Sequence, residues 1–182
     1  MTDFTLHTPE TAPGNAKERL QATESKLGFV PTMYGIMANA PTLLEGYQTL
    51  SEIFGRSSLS PQEQQVVLLA VSVANQCEFC VAAHTTLAQG AGVDKEIIQA
   101  LRDGGSIDDP RMAALAKVTQ AIVSKQGWAG QEVDEFLAAG FEQQQVMEVI
   151  LAAGLKTLSN YTNHLSNPPL NEAFAKNAWK AR

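Results

Sequence analysis

Cysteine is scarce in this sequence, which holds two in 182 residues, and so few exclude a disulfide scaffold. Basic side chains are a minority too: 13 Lys and Arg stand against 19 Asp and Glu, a formal net charge of −6 at pH 7. This balance argues against a nucleic-acid binder, whose affinity comes mainly from neutralising phosphates. No apolar run approaches the roughly 18 residues that a membrane-spanning helix needs, and the N-terminus lacks the basic and apolar regions of a secretory signal. We therefore expect a cytoplasmic protein that binds neither membranes nor nucleic acids.

Strict alternation of apolar and polar residues, which is typical of strands, is rare in the chain. Apolar residues make up 45% of it, enough for a core, and the helix-favouring Ala, Leu, Gln and Glu are plentiful. We expect one all-α domain over residues 1–182, a helical bundle of about seven or eight helices, with residues 1–14 as an extended N-terminal arm. Glycine and proline separate the candidate helical segments, which cover approximately residues 15–27, 32–39, 41–54, 61–75, 78–88, 93–101, 110–126, 131–139, 143–165 and 171–180.

The segment that begins at Ser60 carries specific signals for a helix start. Ser60 can cap the helix, Pro61 suits the first turn, and Glu63 stands three residues after the cap, completing a capping box. An apolar stripe then follows at helical spacing, formed by Val66, Leu69, Ala70 and Val73.

Both cysteines lie together, Cys77 and Cys80, at the predicted start of the next helix. Residues i and i+3 share a helix face, so the two sulfurs can meet in a disulfide. The free N–H groups and the dipole of a first helical turn stabilise a thiolate, which is the nucleophile toward peroxides and disulfides. His84, one turn after Cys80 on the same face, can take or relay the thiol proton. The constellation predicts cysteine redox chemistry.

Two different interpretations of these residues stay open. Buried cysteines often serve as small hydrophobic side chains. Cys77, Cys80 and His84 could also supply three zinc ligands, but a structural zinc site needs four, and no second C-x-x-C or H-x-x-H pattern occurs. A glycine-rich phosphate-binding pattern is absent as well. We therefore expect neither a metal nor a cofactor.

The run LSPQEQQVVLLAVSVANQCEFCVAAH, residues 59–84, resembles the signature of the alkylhydroperoxidase D-like proteins of the carboxymuconolactone decarboxylase superfamily. FVPTMYGIMANAPTLLEGY (residues 29–47) and KTLSNYTNHLSNPPL (residues 156–170) are similar, more weakly, to the peroxidase-related branch. The resemblance implies an all-helical fold that assembles as a trimer or hexamer. It also implies a thiol-dependent peroxidase or disulfide oxidoreductase, whose partners are a small hydroperoxide and a dithiol or reductase protein.

The resemblance also implies a role for each residue of the motif. Cys80 corresponds to the cysteine that attacks peroxide, Cys77 to the one that resolves the sulfenic acid, and His84 to the histidine that relays the proton together with a glutamate of the preceding helix. At the position of that glutamate this chain has Gln65, which can orient an imidazole but cannot carry a proton. Glu63 lies about 200° away round the helix, and we expect it to serve the capping box rather than the relay. Phe79 replaces a histidine of some members.

Two further functions stay open for this chain. A decarboxylase or lyase of the carboxymuconolactone type would need a cationic clamp for a carboxylate, and the candidates Arg102, Arg111 and Lys156 are scattered in sequence. A non-catalytic oligomeric redox sensor would use the same cysteine pair slowly. His164 either caps the C-terminal end of its helix or lines a pocket facing another subunit.

Overall fold

The computed structural model describes residues 3–181, and helices are the only regular elements within that range. The prediction of an all-α fold is confirmed. The described chain holds more helices than the seven or eight expected, because several are only a few turns long. They are α1 Ala16–Leu27, α2 Thr32–Met37, α3 Pro41–Phe54, α4 Pro61–Ala74, α5 Glu78–Gly90, α6 Lys95–Asp103, α7 Pro110–Ser124, α8 Gly130–Ala138, α9 Gln143–Ser166 and a 3-10 helix, Glu172–Asn177.

Helix α4 is the centre of the fold and packs against α5, α7 and α9. The capping box is present: the Glu63 amide donates to Ser60 Oγ at 3.2 Å, and the Ser60 amide donates to Glu63 Oε2 at 2.8 Å. Every residue from 66 to 72 is buried, so neighbours cover α4 on all sides rather than on the single stripe that the sequence indicates. Each fully buried aliphatic side chain stabilises such a core by about 1.5–3 kcal/mol.

Two segment boundaries differ from the sequence-based expectation. The Val93 amide donates to the Ala88 carbonyl at 3.0 Å beyond Gly92, whose φ is 77°. This closes the C-terminus of α5, so Val93 is not free to begin α6. The segment expected to form a terminal helix over 171–180 is instead a shorter 3-10 helix. Its ends are held by side-chain bonds, from the Thr32 amide to Asn171 Oδ1 at 3.0 Å and from Asn177 Nδ2 to Thr86 Oγ1 at 2.9 Å.

The N-terminal segment that precedes α1 lies against α2. The His7 amide donates to the Gly35 carbonyl at 3.2 Å, and Asn39 Nδ2 donates to the Thr5 carbonyl at 2.7 Å. A Cβ atom on Gly35 would lie 2.5 Å from the His7 carbonyl oxygen, so only glycine permits this approach.

No helix within residues 3–181 has the length and apolarity needed to cross a bilayer.

Candidate active site

The turn between α4 and α5 places both cysteines at a helix N-terminus. Gln76 adopts the left-handed region, with φ of 55°, a conformation that costs a non-glycine residue about 1–3 kcal/mol. The turn makes Cys77 the N-cap of α5 and leaves Cys80 in its first turn. Both are free thiols, and Cys77 is 1% exposed and Cys80 2%. The strained turn therefore holds two buried sulfurs at the positive end of a helix dipole.

The side-chain amide of Asn163 lies close to both cysteine sulfurs. Asn163 Nδ2, from α9, lies 3.1 Å from Cys80 Sγ and 3.7 Å from Cys77 Sγ, and 3.5 Å from the Met33 sulfur. A hydrogen-bond donor shared by two thiols favours the ionised form of the nearer one. The geometry thus distinguishes Cys80 from Cys77.

The two thiols have opposite pKa shifts. Burial alone would raise the pKa of Cys80, but the hydrogen bond from Cys77, the positive charge of Lys156 and the amides of Asn160 and Asn163 outweigh it and lower that pKa to about 5. The same Cys77–Cys80 hydrogen bond, together with burial, raises the pKa of Cys77. At neutral pH the pair is a Cys80 thiolate beside a Cys77 thiol.

His84 lies between Gln65 and Lys156. Its Nε2 atom is 2.9 Å from Lys156 Nζ and its Nδ1 atom is 3.2 Å from Gln65 Oε1. A lysine ammonium only donates hydrogen bonds, so Nε2 must be the acceptor and Nδ1 must carry the proton that Gln65 accepts. Burial and then the charge of Lys156 hold the pKa of His84 well below its usual value. His84 is therefore a neutral imidazole that orients Lys156.

Lys156 is a buried cation, 1% exposed on α9. None of the ion pairs found within residues 3–181 includes it. A charge removed from water needs a compensating group. Lys156 lines the same cavity as Cys80, and its positive charge helps to lower the Cys80 pKa.

Asn160 supplies an unused donor to the same region. The Asn75 amide donates to Asn160 Oδ1 at 2.9 Å and so orients the side chain. Asn160 Nδ2 is buried and has no partner among the described residues. It is close enough to favour the Cys80 thiolate but makes no full hydrogen bond, so it can still donate to a charge that develops near the sulfur.

An apolar cavity of about 310 Å³ reaches Cys80. Its aromatic wall includes Tyr34, which packs edge-to-face on Tyr47 at 5.7 Å, and Phe79, which packs edge-to-face on Phe174 at 6.1 Å. Burial raises the pKa of both tyrosines, which are neutral phenols. We call this space the Cys80 cavity; its lining is Leu27, Phe29, Pro31, Met33, Tyr34, Tyr47, Phe79, Cys80, Ala83, His84, Thr86, Leu87, Lys156, Ala173 and Phe174.

The carboxymuconolactone decarboxylase family model matches residues 41–121, the range that contains the cysteine pair and His84. The whole helical arrangement is that of solved relatives, among them an alkylhydroperoxidase D core, a peroxidase-related protein from Ralstonia eutropha JMP134. That structure has a TM-score of 0.81 and 19% identity over 94% of this chain and 93% of its own. Over residues 41–121 this chain is similar to the carboxymuconolactone decarboxylase family, and the solved structures share its fold.

Two further solved structures have a similar fold. The debrominase Bmp8 has a TM-score of 0.79 and 18% identity, covering 97% of this chain and 96% of its own. A peroxidase-related protein from Silicibacter sp. TM1040 has a TM-score of 0.77 and 18% identity, covering 95% and 92%. Identities this low show the fold alone. No curated protein sequence matches the chain.

The candidate site residues predicted from the sequence do not all lie together. The structure brings Cys77, Cys80, His84 and Gln65 together, but it does not bring Glu63. The Glu63 carboxylate accepts hydrogen bonds from the Ser60 amide and from Arg111, whose Nε is 2.9 Å away. Glu63 therefore joins the start of α4 to α7, and a relay role for it is not supported by its position.

Sequence reasoning missed Lys156, Asn160 and Asn163 as parts of this site. A signal was present: they stand at i, i+4 and i+7 on α9, on one buried face that is apolar in the preceding turns at Val149, Ala152 and Leu155. Polar side chains in such a stripe need buried partners, and the stripe faces the cysteine pair.

The described residues give no structural support for the zinc site that the sequence left open. Within residues 3–181 no group of three or more His, Cys, Asp and Glu side chains is arranged to hold an ion. Both ring nitrogens of His84 are engaged by Gln65 and Lys156.

Proposed function

We propose that this protein is a thiol-dependent peroxidase and disulfide oxidoreductase in which Cys80 attacks a hydroperoxide. The observation that supports the proposal is the setting of the Cys80 sulfur. It lines the apolar cavity, accepts a hydrogen bond from Asn163 Nδ2 at 3.1 Å, and lies beside the Cys77 thiol. The protein would act as a cytoplasmic homo-oligomer, a trimer or hexamer, with a small hydroperoxide as substrate and a dithiol or reductase protein as electron donor.

In the first step the Cys80 thiolate attacks the terminal oxygen of the hydroperoxide. An S–O bond forms, the O–O bond breaks, and the substrate leaves as an alkoxide that takes a proton to become an alcohol. Gln65 cannot supply that proton, but the Lys156 ammonium can, because it lines the same cavity. Sulfur is oxidised by two electrons and the peroxide is reduced by two.

In the second step Cys77 resolves the sulfenic acid. The Cys77 sulfur attacks Cys80 Sγ, the S–O bond breaks, and the hydroxyl leaves with the Cys77 proton as water. The two sulfurs share the donor Asn163, which keeps them adjacent. An external dithiol then returns two electrons to the disulfide.

The direct experiment mixes reduced protein with a hydroperoxide and follows peroxide loss and free thiols together. We expect one peroxide consumed for each Cys77–Cys80 disulfide formed. Cys80→Ser should consume none, and Cys77→Ser should stop at a sulfenic acid. Unchanged peroxide with unchanged thiols in the wild-type protein would contradict the proposal.

A second candidate is reductive dehalogenation of a small aromatic ring. The wall formed by Tyr34, Phe79 and Phe174 suits a planar apolar ring, and a cysteine-to-alanine variant of the debrominase Bmp8 was solved with 2,3,4-tribromopyrrole. Cys80 would take the halogen while the ring carbon takes a proton, and Cys77 would then displace halide to give the same disulfide. Halide release from a brominated pyrrole, compared with hydroperoxide consumption under the same conditions, separates the two reactions.

A decarboxylase and a non-catalytic redox sensor have less support. Of the three cations considered for a decarboxylase clamp, only Lys156 lines the cavity. Arg102 donates to Thr85 Oγ1 at 2.8 Å and to the carbonyl of Asn177, and Arg111 pairs with Glu63. A redox sensor would form the same disulfide without turnover, and comparing the oligomeric state in reductant and oxidant tests it.

A further inference from the structure

A second cavity reaches the cysteine pair at Cys77, the other member of the pair. It has a volume of about 490 Å³ and contacts Cys77 rather than Cys80. Three parts of the chain form it: the α4–α5 turn, the C-terminal end of α9 with His164, and the C-terminal segment with Trp179 and Lys180. We call it the Cys77 cleft. The two cavities share only Phe79 among their lining residues.

The two cavities differ in chemistry. The Cys80 cavity is mainly apolar, whereas the Cys77 cleft carries polar groups at its rim, including His164 and the ion pair between Glu78 and Lys180, with 3.1 Å between the charged atoms. Asn163 lines the cleft, and its Oδ1 atom is buried without a partner among the described residues. An unpaired buried acceptor beside two sulfurs is suited to receive the S–H or water of an incoming polar molecule.

From this arrangement we infer that the two half-reactions use different entrances: the oxidant reaches Cys80 through the Cys80 cavity, and a reducing dithiol reaches Cys77 through the Cys77 cleft. The inference rests on the proposed peroxidase function and adds the entry route and the sulfur that the reductant attacks. In this arrangement His164 lines the cleft through which the reductant enters.

The reductive step balances as follows. A thiolate of the dithiol attacks Cys77 Sγ, a new S–S bond forms there, the Cys77–Cys80 bond breaks, and Cys80 leaves as a thiolate. The second thiol loses its proton, attacks the first sulfur of the dithiol and releases Cys77, which takes a proton. Two electrons pass to the protein, and the dithiol becomes a disulfide. The low pKa of Cys80 favours this direction, because the better leaving group departs faster.

The test measures the two half-reactions separately by acid-quenched thiol counting, with tert-butyl hydroperoxide as oxidant and dithiothreitol as reductant. His164→Trp fills the cleft, and Leu87→Trp narrows the Cys80 cavity. We expect His164→Trp to slow reduction by about tenfold and oxidation by less than about twofold, and Leu87→Trp to do the reverse. Leu165→Trp is the matched control: it is exposed on α9, lines neither cavity, and should leave both rates unchanged.

A second readout identifies the attacked sulfur. Oxidised protein mixed briefly with 2-mercaptoethanol and quenched in acid should carry the mixed disulfide on Cys77 in peptide mass spectrometry. An adduct on Cys80, or equal effects of His164→Trp on both half-reactions in a protein of unchanged helical content, would overturn the inference. A wild-type protein that forms no disulfide with the hydroperoxide would instead overturn the proposed function, so the two failures are distinct.

Discussion

Two charged clusters flank α4, and they differ in how their charge is compensated. Glu63 is buried at the start of the helix and is paired with Arg111, whose side chain is 40% exposed and stacks over the Phe141 ring at 3.6 Å. Gln65, two positions later, faces His84, and behind it lies the buried Lys156. In the outer cluster an acid and a base neutralise each other. In the inner cluster no carboxylate pairs with the cation, and its charge acts on Cys80.

The comparison separates a structural role from a chemical one. An ion pair whose cation is partly exposed, as Arg111 is, contributes modestly and chiefly fixes geometry. A buried cation without a carboxylate is costly to fold, but it stabilises any anion that forms nearby. Gln65 contributes to this: a carboxylate at that position would put a negative charge near Lys156, and an amide does not.

The largest expected effect comes from removing the inner charge. Lys156→Met should return the Cys80 pKa toward or above its ordinary value, so that at pH 7 the thiolate fraction, and with it the rate of peroxide consumption, falls by about 100-fold. Stopped-flow oxidation at several pH values measures this. The loss should diminish as pH rises, because alkali restores the thiolate. A rate within about threefold of wild type would show that Lys156 does not activate Cys80.

Removing the shared amide donor should have an intermediate effect. Asn163→Ala takes away the 3.1 Å hydrogen bond to Cys80 Sγ, and a hydrogen bond to a charged group contributes about 1.5–3 kcal/mol. We expect oxidation at pH 7 to slow by about tenfold, with the acid limb of the rate profile moved to higher pH. Asn160→Ala tests the unused donor in the same assay. If only Asn163→Ala raises the Cys80 pKa, Asn160 does not contribute.

Placing a carboxylate at position 65 should slow oxidation of this protein. Gln65→Glu places a negative charge beside His84 Nδ1, and this charge partly compensates the positive charge of Lys156 on the other side of the ring. The Cys80 pKa should therefore rise, and oxidation at pH 7 should fall by about threefold to tenfold. Gln65→Ala is the control that removes the bond without adding charge. Faster oxidation of Gln65→Glu would indicate that a proton relay, and not the free charge of Lys156, limits the reaction with peroxide.

The smallest effect on chemistry is expected in the outer cluster. Glu63→Gln keeps the side-chain volume but breaks the ion pair with Arg111 and weakens the capping box. Denaturant unfolding should report a loss of about 1–2 kcal/mol. Peroxide consumption should stay within about twofold of wild type. A large loss of activity at unchanged stability would place Glu63 in the relay after all.

Much of the architecture could be predicted from local sequence signals. The Ser60 capping box, the break at Gly28 and the helix start at Pro110 depend on residues next to one another, and each is where the sequence indicates. The C-terminal 3-10 helix was not predictable, because distant partners hold its ends: Asn171 contacts Thr32, and Asn177 bonds α5.

The candidate site likewise has a part that local sequence signals predict and a part that they do not. Cys77, Cys80 and His84 share one helix, so spacing alone brings them together. Lys156, Asn160 and Asn163 reach the sulfurs only through the packing of α9 on α4 and α5, which no local pattern specifies. The polar stripe on α9 was visible in the sequence, but what it faces required the fold.

The central claim is that Cys80 is a thiolate at neutral pH. The most direct measurement is the pH dependence of thiolate ultraviolet absorbance in the reduced protein, with Cys80→Ser as the reference for the signal of Cys77. Burial opposes ionisation, but Lys156 and the amides outweigh it, so about one thiolate should be present at pH 7 and should be lost as pH falls through about 5. A signal that appears only above about pH 8, as for an ordinary cysteine, would contradict the account.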